Sequence, residues 1–521
     1  MSKIYNTPSR ILYQLIVLSL DLGTSGCKGY MISSDGKIIS TVKVDYETYF
    51  GPGNVVEQNP FEWVNASLKC LKILCKNRNF RRDIVGLCVD ATVGTLVPVK
   101  GWGIPSIERV PMYSDMRALN EAKFVGERFG EAYLYQRTGN PLTPVPTLLK
   151  MMWFKKNMPK VYERTKKFVF HKDFVVENLV EANEPFTDYS DASATMAYDI
   201  RKKEWIWEVL EETGIESDKM VEVRESTEIA GMLKKDIAEM LEIKCVPVTV
   251  GAGDCAATLY GAGAISDSTG DIYLGTAPEV DLTLEELKLD KKFRVPVRCH
   301  VLKSQWYSSA TTLSGYSIGW FLERFVKDSS LGHASNVIEI LNRRCAKIPP
   351  GSGGLLYLPY IIGERCPLLD PLARAAFIGL DRNHGIEHMY RAMLEGISFA
   401  LRENYEVYVK EMGLDIRYLA FCGGGAQNTL LRKMIASNLK FDGLLLENPL
   451  DCAALGNSML LLKTLGYFKD FNQAKEVIVK SVGKESPDKE LEKVYEELYN
   501  LYRASYIRLK DIFANLQLYR V

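Results

Sequence analysis

An acidic Gly-Thr turn occurs twice in this sequence, a half-chain apart. Residues 18–28 read LSLDLGTSGCK, and residues 270–277 read GDIYLGTA. Each begins as a strand, tightens at Gly-Thr, and returns as a second strand over residues 29–32 or 279–282. A hairpin tip of Gly and Thr offers backbone N–H groups and hydroxyls with no bulky side chain in the way. That is a means of gripping phosphate without a P-loop. Two such hairpins facing each other hold a nucleotide tail between two domains. The repeat therefore argues for an α/β chain of two related halves with a central cleft.

The bulk numbers fit this reading. A chain of 521 residues with 47% hydrophobic side chains can bury more than one core. Its 65 basic and 65 acidic residues balance, so no basic excess argues for nucleic acid or an anionic membrane. The eleven cysteines show no C-x-x-C spacing, and only five histidines are present. Reduced thiols in a cytoplasmic protein are expected, not a disulfide framework or a zinc site. The apolar run 11–20 leads straight into Asp21 and reads as the first buried strand, not as a leader.

Strand and helix patterns alternate along the first half, with strand signals at 84–90 and 246–251. Asn59 and Pro60 read as the cap and first residue of a helix. A charged helix is expected from Ser486 to about Leu518, with Leu491, Val494, Leu498, Leu501 and Tyr502 on the face that packs on the body. The sequence VGAGDCAA at 250–257 ends a strand in small residues and presents Asp254 at a helix start. A carboxylate there can take a proton from an alcohol attacking a phosphoryl group, although it also suits an N-cap. The triplet Gly423-Gly424-Gly425 lies between a strand and a helix and permits close contact with a flat or phosphorylated ligand. Neither a Walker A motif nor a G-x-G-x-x-G after the first strand is present.

From about Val17 to Gly466 the chain resembles the FGGY family of carbohydrate kinases, within the actin-like ATPase superfamily. The resemblance is carried by AAFIGL at 375–380 followed by His388-Met389 and AMLE at 392–395, by LPYIIGERCP at 358–367, by TLLKMMWFKKN at 147–157, and by EQNP at 57–60. It implies two actin-like, ribonuclease H-like domains, expected at 15–266 and 267–470, with a helical tail at 471–521. It also implies ATP and Mg²⁺ as cofactors and a small sugar as substrate, and it allows a homodimer.

By the same resemblance Asp254 is the catalytic base. Gly23, Thr24 and Lys28 lie on the first phosphate hairpin, Gly275 and Thr276 on the second, and Gly423, Gly424, Gly425 and Asn428 form the adenosine turn. Asp21 and Asp254 are the expected metal ligands. Glu364, Arg365 and Glu395 read as structural ion pairs or caps. In the sugar pocket, Asp90-Ala91-Thr92 looks more like the ribulose and ribitol branch, and Cys255 replaces the Asn or Gln common in xylulose and glycerol kinases. Thr92, Thr95, Asp115, Arg117, Asp254 and Cys255 are the expected sugar contacts. A ketopentose, xylulose or ribulose, is the favoured substrate. A glycerol, polyol or sugar-acid kinase and a non-catalytic actin-like nucleotide-binding protein stand as alternatives.

Overall fold

A computed structural model describes residues 15–52, 55–181, 184–327 and 336–519. The portion of the apolar run before residue 15 lies outside the described residues.

The first hairpin joins β1 (Ile16–Leu22) to β2 (Gly26–Ser33), and β3 (Ile38–Asp45) continues the antiparallel ladder. On the other side of β1 run β4 (Ile84–Ala91) and β5 (Pro247–Thr249), both parallel to it. β1 is apolar at nearly every position because it is a central strand covered on both faces. The second half repeats the plan. Its hairpin joins β6 (Thr269–Tyr273) to β7 (Glu279–Leu284), flanked by β8 (Trp306–Thr311) on the antiparallel side. β9 (Tyr418–Cys422) and β10 (Gly443–Leu446) lie parallel on the other side. The strand orders β3-β2-β1-β4-β5 and β8-β7-β6-β9-β10 match one for one. The repeated turn thus marks the same place in two copies of one topology.

Five helices matter for the site: α1 (Asp254–Gly261), α2 (Ile386–Glu406), α3 (Thr429–Leu439), α4 (Cys452–Thr464) and α5 (Lys489–Leu516). Helices α1 and α4 cross at backbone contact. A Cβ on Gly261 would lie 1.7 Å from the Cys452 carbonyl oxygen, and one on Gly456 1.9 Å from that of Ala257. Each helix also reaches into the opposite half, α4 against β1 and β4, α1 against β7. One apolar cluster, including Val17, Cys88, Leu259, Tyr307 and Leu460, spans both halves behind this crossing.

The chain after residue 470 is built into the second half and does not stand apart as a tail. Ser481–Glu485 pairs with β10 as an edge strand. Helix α5, capped by Asp488, buries Tyr495, Tyr499, Tyr502 and Phe513. This corrects the expected apolar face: Val494 and Leu501 are exposed, and Leu491 and Leu498 only pack at its margin. Tyr502 is buried as expected, while Tyr495 and Tyr499 are absent from the expected face because their hydroxyls are polar. Here those hydroxyls find buried partners, as in the 2.6 Å contact of Tyr502 with Tyr360. Among the described residues no helix is long and apolar enough to cross a membrane.

Candidate active site

The segment before α1 runs against β4. Gly251 adopts φ +77°, and a Cβ there would lie 2.0 Å from the Val89 carbonyl oxygen. Only glycine allows this approach. Gly253 N–H then donates to Ser190 Oγ at 2.9 Å, and Asp254 opens the helix. The Asp254 carboxylate accepts a 2.9 Å bond from the Cys255 N–H. Burial, then the charges of Glu279 and Asp21, push its pKa up to about 7. A carboxylate held there exchanges a proton readily near neutral pH.

Asp21 ends β1 beside this group, opposite Lys28 across the hairpin and opposite Asp90 across the parallel pair. Its carboxylate accepts no hydrogen bond among the described residues. Burial raises its pKa, Lys28 lowers it, and Asp451 raises it again. Asp21 raises the proton affinity of Asp254 by like charge, a strain that a divalent cation relieves, and one or two carboxylates suffice for Mg²⁺. Asp21 and Asp254 therefore fit the expected ion.

The first tip exposes Thr24 and is braced from below. Gln58 Nε2 donates to the Thr24 carbonyl at 2.7 Å and is itself held by Trp63 Nε1 at 2.8 Å. The Tyr46 hydroxyl donates to the Gly23 carbonyl. Thr24 Oγ1 lies 3.2 Å from the Tyr113 hydroxyl. The second tip exposes Thr276 and rests on the glycine turn: Gly425 N–H donates to the Leu274 carbonyl at 2.8 Å. Gly423 has φ +79°, and a Cβ on it would lie 2.9 Å from that same oxygen. Tyr273, at the base of the second tip, has its phenol pKa raised by burial and by the charges of Asp21, Glu279 and Asp254. Groups from both halves thus meet around Asp254.

Other expected contacts are committed elsewhere. Asn428 caps α3, accepting from Leu431 N–H at 3.1 Å, and its amide donates to Asn342. Asp115 accepts from Val56 N–H at 2.7 Å and from Arg117 Nε at 2.8 Å, while Arg117 Nη2 also reaches Glu57 at 2.7 Å. In that ion-paired cluster the side chains of Asp115 and Arg117 are buried and Glu57 is partly exposed. Thr95 Oγ1 accepts from Tyr113 N–H at 3.1 Å, and Thr92 Oγ1 lies 3.0 Å from His171 Nδ1. The Cys255 thiol points across to Glu279, 3.6 Å away. Glu364 and Glu395 are structural, as expected: the first accepts from Thr312 and Leu313, the second from Gly351, Ser352 and Arg391.

Three residues join the site without having been singled out for it. Glu279 begins β7 and acts on Asp254; Asp451 lies near Asp21 from the second half; Arg365 extends its charge to Tyr113 and Lys150 across the cleft. Glu279 follows the second Gly-Thr closely, and that nearness was the available signal.

The comparisons with known proteins agree with this geometry. Residues 16–261 match the N-terminal domain of the FGGY family of carbohydrate kinases, and residues 278–465 match its C-terminal domain. The xylulose kinase of Bacillus subtilis (strain 168) is 29% identical over 507 residues, covering 97% of this chain and 99% of that protein. The gluconokinase of the same organism is 25% identical, covering 93% of this chain and 94% of that one. The crystal structure of a ligand-bound xylulose kinase from Lactobacillus acidophilus superposes with a TM-score of 0.88 at 20% identity, covering 96% of this chain and 99% of that one. With two matched domains, a duplicated actin-like topology and a carboxylate poised between two Gly-Thr hairpins, the chain is a member of the FGGY family of carbohydrate kinases.

Proposed function

We propose that this kinase transfers the γ-phosphoryl group of ATP to a terminal hydroxyl of a pentulose, with xylulose as the leading candidate. The observation that carries the reading is Asp254, held near neutral pKa where the two halves converge. Asp254 accepts the hydroxyl proton as that oxygen takes the phosphoryl group. Thr24 and Lys28 from one hairpin and Gly275 and Thr276 from the other would hold the phosphates. The turn Gly423–Gly425 would floor the adenosine site, with Asn428 keeping α3 in place behind it. Asp21 and Asp254 would hold Mg²⁺, which supplies charge neutralisation on the nucleotide phosphates. Tyr113 and Arg365 would face the sugar, while Thr92, Thr95, Asp115 and Arg117 would set the pocket wall behind them.

Greater similarity to the xylulose kinase than to the gluconokinase supports the pentulose. One observation favours a second reading, a sugar acid. Arg365 forms no salt bridge among the described residues, and such a cation suits a carboxylate. Incubation with ATP, Mg²⁺ and each of D-xylulose, D-ribulose, L-ribulose, glycerol and gluconate, with mass spectrometry of the products, separates the two. A pentulose phosphate is expected; gluconate phosphate as the main product would replace the reading. The protein is proposed to work in the cytoplasm, where ATP and a trapped sugar phosphate are both retained.

A further inference from the structure

The structure holds two acidic clusters outside the phosphate grip, one fully and one partly buried, and they are neutralised differently. In the first half Asp173, Asp188 and Asp191 surround Lys172, whose Nζ lies 2.5 Å from Asp173 and 3.4 Å from Asp188. The cation is part of the chain. Where the halves meet, Cys255 of α1 and Glu279 and Asp281 of β7 bring one ligand atom each to within 4.8 Å of one another. Among the described residues no Lys, Arg or His makes an ion pair with Glu279 or Asp281. Arg298 adds charge to Glu279 and Cys255 from beyond ion-pairing distance.

A separate observation points into the same place. Asp271 sits directly opposite Asp281 in the β6–β7 ladder, so both side chains leave the same face of the sheet. Asp271 is fully buried, and neither of its carboxylate oxygens has a hydrogen-bond partner. One oxygen of Asp281 is also buried without a partner. The other half shows how a buried acid is normally met: Asp90 accepts a 2.5 Å bond from the Asn457 amide, donated by α4. Around Asp271 and Asp281 the donors are too few. Glu279 takes Thr311 Oγ1 at 2.8 Å and Ser309 Oγ at 3.3 Å, and nothing answers Asp271. Buried carboxylates with so few donors either keep a proton or are met by a cation.

We propose that Cys255, Glu279 and Asp281, backed by Asp271, bind a divalent transition cation of the zinc type, at a site distinct from the Mg²⁺ pair Asp21 and Asp254. A thiol among carboxylates suits a borderline-soft ion better than Mg²⁺. On binding, the Cys255 thiol loses its proton to solvent as the sulfur–metal bond forms. The ion would tie α1, immediately after Asp254, to β7 of the other half, and so fix the base relative to the second hairpin. This site does not depend on the identity of the sugar.

Cobalt(II) is the probe, because thiolate ligation gives a sulfur-to-metal charge-transfer band in the near ultraviolet. The full chain carrying Cys245→Ser, which removes the exposed thiol, is titrated with Co²⁺ without nucleotide. The band should saturate at one equivalent and be displaced by Zn²⁺. It should vanish in Cys255→Ser, and Co²⁺ affinity should fall about tenfold or more in Asp281→Asn and in Asp271→Asn. Glu279→Gln, less buried, should weaken binding in the same direction and guards against misfolding of the deeper variants. Folding of each is checked by circular dichroism. A folded protein with no band, or a band that survives Cys255→Ser, would overturn the site. Unchanged affinity in the folded Asp variants would overturn it too, and would assign the cluster to carboxylates sharing protons.

Discussion

Asp254 carries the chemical argument. Its replacement by Asn removes the proton acceptor while keeping the shape, so turnover should fall by about 10²- to 10⁴-fold with ATP affinity largely kept. Steady-state kinetics and a nucleotide-binding titration check both parts. A variant keeping more than half of wild-type turnover would remove Asp254 from the base role. The pH dependence follows from the same group. A base with its pKa raised to about 7 is active only when ionised, so kcat/KM should rise with pH through the neutral region and level off above it. Glu279 contributes to that elevation through like charge. Glu279→Gln should therefore move the acid limb to lower pH, whereas a purely structural role would change the plateau and leave the limb in place.

At the scale of elements, the crossing of α1 and α4 fixes how the halves meet. Gly261 and Gly456 let the helices touch at their backbones, and a methyl at either would meet a carbonyl oxygen at under 2 Å. Gly456→Ala should cost about 1–3 kcal/mol in denaturant unfolding. Asn457→Ala should also destabilise, by about 1–3 kcal/mol, since it strips a buried carboxylate of its amide donor. Local chemistry made several elements legible in the sequence. The Gly-Thr tips, the Asn59 cap and the small residues before Asp254 all have one physical meaning wherever they occur. Roles set by partners far along the chain were not legible. Asp115 resembles a sugar ligand until Val56 and Arg117 are seen to occupy it. Asn428 suited the adenosine turn, and its amide is taken up by Asn342 from a distant helix. Asn457 carries no signal in the sequence for its bonds across the halves to Asp90 and Ser19.

At the scale of the molecule, two copies of one sheet topology are joined by a shared apolar cluster behind the helix crossing, and Asp254 opens the helix that reaches from one to the other. That arrangement favours closure about the crossing, and closure removes water from the reacting groups. Small-angle scattering should show compaction when a non-hydrolysable ATP analogue and pentulose are added together, more than with either alone. Unchanged dimensions would place the two halves in one rigid state. The duplicated turn was enough to locate the cleft from sequence. The substrate was less accessible, because epimers differ in the direction of one hydroxyl and the proposed sugar contacts Asp115, Arg117, Thr92 and Thr95 are bonded to other side chains or backbone. The most direct measurement is kcat/KM for ADP release, side by side, on D-xylulose, D-ribulose, L-ribulose, gluconate and glycerol, with wild type and Asp254→Asn. A pentulose should stand highest by well over tenfold against glycerol, whose three carbons leave polar groups in the pocket unpaired, and Asp254→Asn should abolish the signal. Glycerol or gluconate as the best substrate, or robust turnover by Asp254→Asn, would contradict the account.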